Sequence, residues 1–217
     1  MKYRAVIFDL WRTLVPWDVE GANRFYDRMA ASVGVEPMRF REAWLAGRPL
    51  RDNGPIADYL HLLLADLESD GDVDELLALR REWTKRSLAP RPDALETLAE
   101  LRRRGHLLGL ISVCSQDVPA VWSETVLAGA LDALVFSCDV GFSKPDPRIY
   151  LIACERLGVE PGDCLFVGDG DNDELPGAER VGMAALQLRA PGEGLSESGK
   201  TWRGDSIESL SELLELT

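Results

Sequence analysis

Four groups of polar side chains that could do chemistry each come after a short apolar run of the chain. In chain order they are Asp9, Ser112, Lys144 and the acidic segment Gly168-Asp169-Gly170-Asp171-Asn172-Asp173. Together they offer carboxylates, a hydroxyl group and an ammonium group. Carboxylates that cluster without His or Cys suit a hard cation that prefers oxygen ligands, and Mg²⁺ is the leading candidate.

The apolar runs themselves predict the strands of a buried sheet. They cover residues 5–8, 107–111, 133–136, 164–167 and 184–188. They do not alternate with polar residues, which is typical of parallel strands that are buried on both faces. Helical patterns separate the later four runs, and we predict helices at 92–104, 147–157, 173–181 and 206–216. This order predicts an α/β doubly wound parallel sheet, in which ligands bind at the carboxyl ends of the strands.

The interval between the first two runs is too long for an ordinary connection. It holds about a hundred residues, whereas a crossover between parallel strands usually needs about a dozen. Its apolar residues follow helical spacing, and turn residues divide it into about four helices. We predict that residues 1–16 and 89–217 form a core domain and that residues 17–88 form a helical bundle inserted into it. Residues 190–204, rich in Gly and Ser, are predicted to form a surface loop.

The composition excludes several classes of partner. The formal net charge is −13, so the chain has no basic excess with which to replace the counterions of nucleic acid. Anionic membrane surfaces are disfavoured for the same reason. The first apolar run is shorter than the roughly 7–15 residues of a signal-peptide core or the roughly 20 of a membrane span. The four Cys include no Cys-x-x-Cys pair, and we expect buried thiols in a cytoplasmic protein.

Four segments resemble, in order, the motifs of the haloacid dehalogenase-like (HAD) hydrolase superfamily. They are Phe8-Asp9-Leu10-Trp11-Arg12-Thr13-Leu14, Leu110-Ile111-Ser112, Ser143-Lys144-Pro145-Asp146 and Val167-Gly168-Asp169-Gly170-Asp171-Asn172-Asp173. The resemblance spans residues 5–188. It implies a Rossmann-like core, and the insert at 17–88 lies where that family carries an α-helical cap.

The resemblance implies a role for each matched residue. Asp9 resembles the nucleophile that forms an aspartyl ester intermediate, which divides one difficult displacement into two easier ones. Ser112 and Lys144 resemble the residues that hold the transferred anion, and Leu10 and Trp11 complete the implied phosphate-binding set. The implied Mg²⁺ site is formed by Asp9, the backbone carbonyl of Trp11, Asp169 and Asp173.

Three positions depart from the family pattern. Phosphatases of the family usually carry a second Asp, the general acid/base, where this chain has Trp11, and an indole cannot replace it. The next position is commonly Gly and is Arg12 here, whose side chain has room to point into the site or to solvent. The Asn that often follows the Ser of the second motif is Val113. Because general acid/base catalysis is typically worth about 10²–10⁴-fold, we expect weak activity on simple alkyl phosphates.

The sequence leaves three functions open, and we expect the substrate to be a small anionic molecule. The first is Mg²⁺-dependent hydrolysis of a small phosphorylated metabolite, with impaired general acid/base catalysis. The second is hydrolysis of a carbon–halogen bond, as in haloacid dehalogenases, which have an aromatic residue at the position of Trp11. It is opposed by Asp169 and Asp173, because those enzymes need no metal and lack this acidic pattern. The third is a catalytically impaired protein that binds a ligand or a partner through the same cleft. We expect a monomer or a homodimer.

Overall fold

A computed structural model describes residues 2–217 and contains a six-stranded parallel sheet with the strand order β3-β2-β1-β4-β5-β6. The strands are β1 (Ala5–Phe8), β2 (Leu107–Ser112), β3 (Ala133–Phe136), β4 (Cys164–Gly168), β5 (Ala184–Leu188) and β6 (Ser206–Ile207). The five predicted strands are present and the doubly wound α/β fold is confirmed. Strand order reverses between β1 and β4, so the carboxyl ends of these two strands flank the crevice where ligands bind in such folds.

The interval between β1 and β2 is helical, and residues 19–87, all of which the structure describes, contain no strand. The helices are α1 (Val19–Ser32), α2 (Pro37–Ala46), α3 (Arg48–Arg51), α4 (Ile56–Asp66) and α5 (Val73–Ser87). We call these five helices the cap. Asp18 and Asp72 cap the first turns of α1 and α5 through their side chains. The apolar faces of the helices form a hydrophobic cluster of their own. The division of the chain into domains at residues 16 and 88 stays a prediction.

The remaining helices lie along the sheet and its edges. They are α6 (Ala94–Arg103), α7 (Asp117–Trp122), α8 (Ser137–Val140), α9 (Pro147–Leu157), α10 (Glu174–Arg180), α11 (Glu197–Thr201) and α12 (Leu213–Leu216). Successive residues of β1 pack on opposite faces of the sheet. Val6 and Phe8 join the cluster that contains α6 and α7, whereas Ala5 and Ile7 join the one that contains α9 and α10. Among the described residues, none of the helices has both the length and the apolar character needed to cross a membrane.

Two predictions for the last thirty or so residues need correction. The helix predicted over 206–216 is instead the short strand β6, a 3₁₀ turn (Leu210–Glu212) and the single-turn helix α12. Ile207, Leu210 and Leu213 are buried and spaced by three residues, which suits a 3₁₀ turn better than an α-helix. The loop predicted over 190–204 contains α11, because the Ser196 side chain caps its first turn.

Candidate active site at the carboxyl edge of the sheet

Asp9 lies at the carboxyl end of β1, beside the point where strand order reverses. Its main-chain N–H donates to the carbonyl oxygen of Val167 on β4 (2.8 Å). The pairing that builds the sheet therefore also fixes the position of Asp9. Its side chain is buried, and Oδ1 accepts a hydrogen bond from the ammonium group of Lys144. The predicted nucleophile and the predicted anion-binding cation are thus in direct contact.

Lys144 is also buried and bridges two carboxylates. Its Nζ donates to Asp9, to Glu174 and, at 3.3 Å, to the carbonyl oxygen of Ile111 on β2. Burial disfavours the charged ammonium group, but the carboxylates of Asp9 and Glu174 outweigh burial and raise the pKa of Lys144. Lys144 therefore stays positively charged at neutral pH and can hold an anion next to Asp9.

Three buried carboxylates converge at this edge. One oxygen each of Asp9, Asp169 and Glu174 lies within 4.8 Å of the others. The main chain orients two of them. The Asp171 N–H donates to Oδ1 of Asp169 (3.0 Å), and the Gly170 N–H donates to Oε1 of Glu174 (3.0 Å). The turn that follows β4 therefore aims both side chains at Asp9.

The electrostatics of this cluster favour a bound cation. Burial, and then the charge of Asp9, raises the pKa of Asp169 to about 6. Burial raises the pKa of Glu174 as well, although Lys144 opposes the shift. Oδ2 of Asp169 is buried and has no hydrogen-bond partner in the part of the chain that the structure describes. A buried carboxylate oxygen without a partner is unfavourable, and a cation beside it would relieve that cost.

The structure places Glu174 where the sequence predicts Asp173. Asp173 has φ 52°, in the left-handed region, and its side chain is exposed. Glu174 is the first residue of α10 and is buried. The sequence does not show which of two adjacent acidic residues the backbone turns toward the site, and the prediction therefore named Asp173 instead of Glu174. The helical spacing of Glu174 to the buried residues Gly177 and Ala178 is the signal that could have identified it.

Ser112 and Leu10 lie deeper than the carboxylates. Ser112 ends β2 and is fully buried, and among residues 2–217 its Oγ has no hydrogen-bond partner. The hydroxyl group is therefore free to donate to an anion near Lys144. The side chain of Leu10 belongs to the hydrophobic core, so only its main-chain atoms could contact an anion. The phosphate-binding roles of these two residues stay predictions.

Trp11 and Arg12 both line the cavity beside this cluster. The Trp11 ring packs edge-on against Trp17, with ring centroids 5.9 Å apart. Arg12 has φ 63°, a conformation that residues other than Gly rarely adopt. Its Nη1 donates to the carbonyl oxygen of Gly194 (2.8 Å) and lies 3.8 Å from Oδ2 of Asp169. The Arg12 guanidinium therefore points into the site. It lies beside Oδ2 of Asp169, the oxygen that has no hydrogen-bond partner among the described residues.

The cavity has a volume of about 430 Å³ and is lined by both the core and the cap. The core contributes the carboxylates and Lys144. The cap contributes aromatic and arginine side chains, namely Tyr26, Trp44, Arg48, Arg51, Arg80 and Trp83. This volume is within the range of small-molecule sites.

A doubly wound parallel sheet with a carboxylate–ammonium pair at its switch point, and a helical insertion after the first strand, defines a Rossmann-like hydrolase with a cap. The family model of the haloacid dehalogenase-like hydrolases matches residues 3–182. The chain belongs to this family, and the resemblance seen in its motifs is confirmed.

Relatives within the family cleave different bonds. The glyceraldehyde 3-phosphate phosphatase of Methanopyrus kandleri is 30% identical over 199 residues, which is 86% of this chain and 84% of the relative. The (S)-2-haloacid dehalogenase 4A of Burkholderia cepacia is 31% identical over 202 residues, 87% and 84% of the two chains. The crystal structure of a HAD phosphatase from Thermococcus onnurineus matches with a TM-score of 0.70 at 27% identity, covering 98% of this chain and 97% of that one. The chain is thus a hydrolase, and both phosphatases and dehalogenases are similar to it.

Proposed function

We propose that this hydrolase removes the phosphoryl group of a small phosphorylated metabolite, with Asp9 as nucleophile and Mg²⁺ as cofactor. The observation that carries the proposal is the convergence of the carboxylates of Asp9, Asp169 and Glu174, with the ammonium group of Lys144 on the nucleophile. In the part of the chain that the structure describes, Oδ2 of Asp169 has no hydrogen-bond partner. Phosphoryl transfer needs an attacking oxygen and concentrated positive charge, since little else has to be supplied by the protein. The similarity to a glyceraldehyde 3-phosphate phosphatase supports the same chemistry.

The donor set fits Mg²⁺. Three carboxylates converge without His or Cys, and the two nearby cations, Lys144 and Arg12, leave one negative charge unbalanced. Oδ2 of Asp169 has no hydrogen-bond partner among residues 2–217, so it is available as an oxygen ligand for a hard cation. Asp9, Asp169 and Glu174 would hold the ion, together with the backbone carbonyl of Trp11. When bound, Mg²⁺ would neutralise negative charge on the phosphoryl oxygens.

Asp9 carries out the bond exchange. One carboxylate oxygen forms a bond to phosphorus, while the bond from phosphorus to the leaving oxygen breaks and that oxygen keeps the electron pair. Water then attacks the phosphorus of the aspartyl phosphate, which releases inorganic phosphate and restores the carboxylate of Asp9. Lys144 and the hydroxyl group of Ser112 hold phosphoryl oxygens during both steps.

Trp11 leaves the departing oxygen without a proton donor at the usual position. Its indole N–H is not an acid at neutral pH, and Arg12 stays protonated. The leaving group must therefore depart as an anion. Aryl and acyl phosphates have leaving groups that are stable in that form, so we expect them to be better substrates than alkyl phosphates.

Steady-state phosphate release from one aryl, one acyl and one alkyl phosphate, with Mg²⁺ and with a chelator, tests the proposal. We expect Mg²⁺-dependent turnover, with the alkyl ester slower by about 10²–10⁴-fold. Rapid turnover of the alkyl ester would show that another residue supplies the proton. Full activity in the chelator would contradict the role of the metal, and the absence of turnover on all three would favour a binding protein.

A second candidate function is hydrolysis of the carbon–halogen bond of a small haloacid. It is favoured by Arg12, because a guanidinium 3.8 Å from Asp169 supplies a fixed positive charge beside the carboxylates. In this reaction an oxygen of Asp9 attacks carbon and the halide leaves with the bonding pair, so no proton donor is needed. Water then attacks the ester carbonyl and releases the hydroxy acid. Chloride release from 2-chloropropionate in the presence of a chelator would support this function, and none under those conditions would exclude it for that substrate.

A further inference from the structure

The cap buries two guanidinium groups at the wall of the cavity. Arg51 and Arg80 both line it, and their side chains are 9% and 12% exposed. Both lie over the ring of Trp44, at 4.4 and 5.0 Å from its centroid. Arginine side chains on helices usually reach into solvent. Two that converge on one aromatic ring inside a cavity therefore call for an explanation.

The charges around this ring do not cancel. Asp52 contacts both Arg48 (3.1 Å) and Arg51 (3.3 Å), and Asp117 pairs with Arg80. Three guanidinium groups thus face two carboxylates, which leaves one positive charge in a protein whose overall charge is −13. Burial lowers the pKa of Arg51, and the proximity of Arg80 adds to that effect against the opposing charge of Asp52. A bound monovalent anion would neutralise the remaining positive charge.

Hydrogen-bond donors are also left over. Nε of Arg80 is buried and has no acceptor among the residues that the structure describes. Arg51 uses Nη1 on the carbonyl oxygen of Trp44 (2.8 Å) and Nε on Asp52. A buried donor without an acceptor costs free energy, and guanidinium groups match the planar, two-oxygen geometry of a carboxylate.

We propose that Arg51 and Arg80 form a second anion subsite, which binds a carboxylate at the end of the substrate that is not attacked. This inference rests on the proposed function, because it assigns the second group of a substrate whose phosphoryl group lies on Asp9. Both ends fit one cavity of about 430 Å³, so the substrate is a small phosphate monoester that carries a carboxylate. The rings of Trp44 and Trp83 line the same cavity, and a charge–charge contact is stronger beside an apolar wall than in bulk water.

A pair of esters that differ only in charge tests the subsite. We compare 4-carboxyphenyl phosphate with 4-carbamoylphenyl phosphate, since both are aryl esters of nearly equal size. In the Mg²⁺-loaded wild-type enzyme we expect kcat/KM to be about 10- to 100-fold higher for the carboxylate. In Arg51→Gln this ratio should fall to near one, and in Arg51→Lys, which keeps the charge but not the planar fork, it should be intermediate. Arg81→Gln is the control for loss of a cap arginine, because Arg81 pairs with Glu124 and does not line the cavity.

A ratio near one in the wild-type enzyme, or an unchanged ratio in both Arg51 variants, would overturn the subsite. If neither ester is turned over, the proposed function fails. Whether Arg51 and Arg80 bind a carboxylate is then tested separately, by measuring the binding of compounds that carry no phosphate. Calorimetry with 4-hydroxybenzoate and 4-hydroxybenzamide provides that measurement. Tighter binding of the benzoate to the wild-type protein than to Arg51→Lys would support the subsite, and equal binding would refute it.

Discussion

The core side and the cap side of the cavity differ in both chemistry and construction. The core side presents short carboxylates and one ammonium group at the ends of β1, β4 and the segments that follow the sheet, and main-chain hydrogen bonds aim them. The cap side presents aromatic rings and guanidinium groups on helices, and contacts of their side chains place them. On the proposed function, backbone register positions the reacting groups, whereas helix packing positions the side chains that would select the substrate.

A buried carboxylate of the core contacts a cap helix and so joins the two sides. Asp117, the first residue of α7, accepts hydrogen bonds from Arg80 and Thr84 of the cap helix α5. Burial opposes ionisation of Asp117, but Arg80 and the hydroxyl groups outweigh it and lower the pKa. The carboxylate therefore stays charged at neutral pH, and it holds a cation of the cap at a defined place relative to the core.

Asp9→Asn breaks the core side and is expected to have the largest effect. An amide cannot act as the nucleophile, so kcat for an aryl phosphate should fall by about 10³-fold or more. Phosphate release with Mg²⁺ measures the loss, and thermal unfolding verifies that the variant is folded. The variant should still bind 4-hydroxybenzoate, because the cap side is unchanged. A near-normal kcat would show that Asp9 is not the nucleophile.

Trp11→Asp restores an acid at the boundary between the two sides. If the missing proton donor limits turnover, kcat for an alkyl phosphate should rise by roughly tenfold or more, and kcat for an aryl phosphate should change much less. Trp11→Asn is the matched control, since it removes the same ring and its contact with Trp17 without adding an acid. Equal activities of the two variants on the alkyl ester would refute this explanation of Trp11.

The sheet could be predicted from the sequence because its strands are buried on both faces. A run such as Ala5–Phe8 is apolar at every position, and this signal does not depend on the rest of the fold. The strand β6 has two residues, and its pairing with Gln187 and Leu188 is a long-range contact. No local pattern distinguishes so short a strand from the helix that was predicted there.

The residues of the site also fall into two groups, those that a local sequence signal predicts and those that only the three-dimensional fold brings together. Asp9, Lys144 and Asp169 could be predicted because each follows a strand whose end lies at the binding edge. Glu174 was missed because the left-handed turn before it decides which carboxylate faces inward. The Arg51–Arg80 pair could not be predicted, because the two residues lie on different helices and meet only through tertiary packing.

Asp169→Asn tests the metal site separately from the other groups of the core side, because it removes one proposed ligand and leaves Asp9 and Lys144 in place. Losing one charged ligand should weaken Mg²⁺ binding by about 10- to 100-fold, as measured by calorimetry. Asp173→Asn is the matched control and should leave the affinity unchanged, because that side chain is exposed. If Asp173→Asn weakened binding as much as Asp169→Asn, the ligand predicted from the sequence, Asp173, would be correct and the assignment of Glu174 in its place would be wrong.

The pH dependence of Mg²⁺ affinity is the smallest of these effects, and it belongs to the core side alone. The ion and a proton compete for Asp169, whose pKa is raised from 3.8 to about 6, so affinity should rise about tenfold between about pH 5 and pH 7. Deprotonation of Glu174, whose pKa is also raised, adds to the rise in affinity.

In the metal-free protein the free energy of unfolding changes with pH in the opposite direction to the Mg²⁺ affinity. An acid with a raised pKa binds its proton more tightly in the folded state, so stability falls as pH increases from about 4 to 6. Calorimetry at three pH values and thermal unfolding with and without Mg²⁺ measure both trends. Asp169→Asn should flatten them, and an equally steep dependence in that variant would assign the titration to another group.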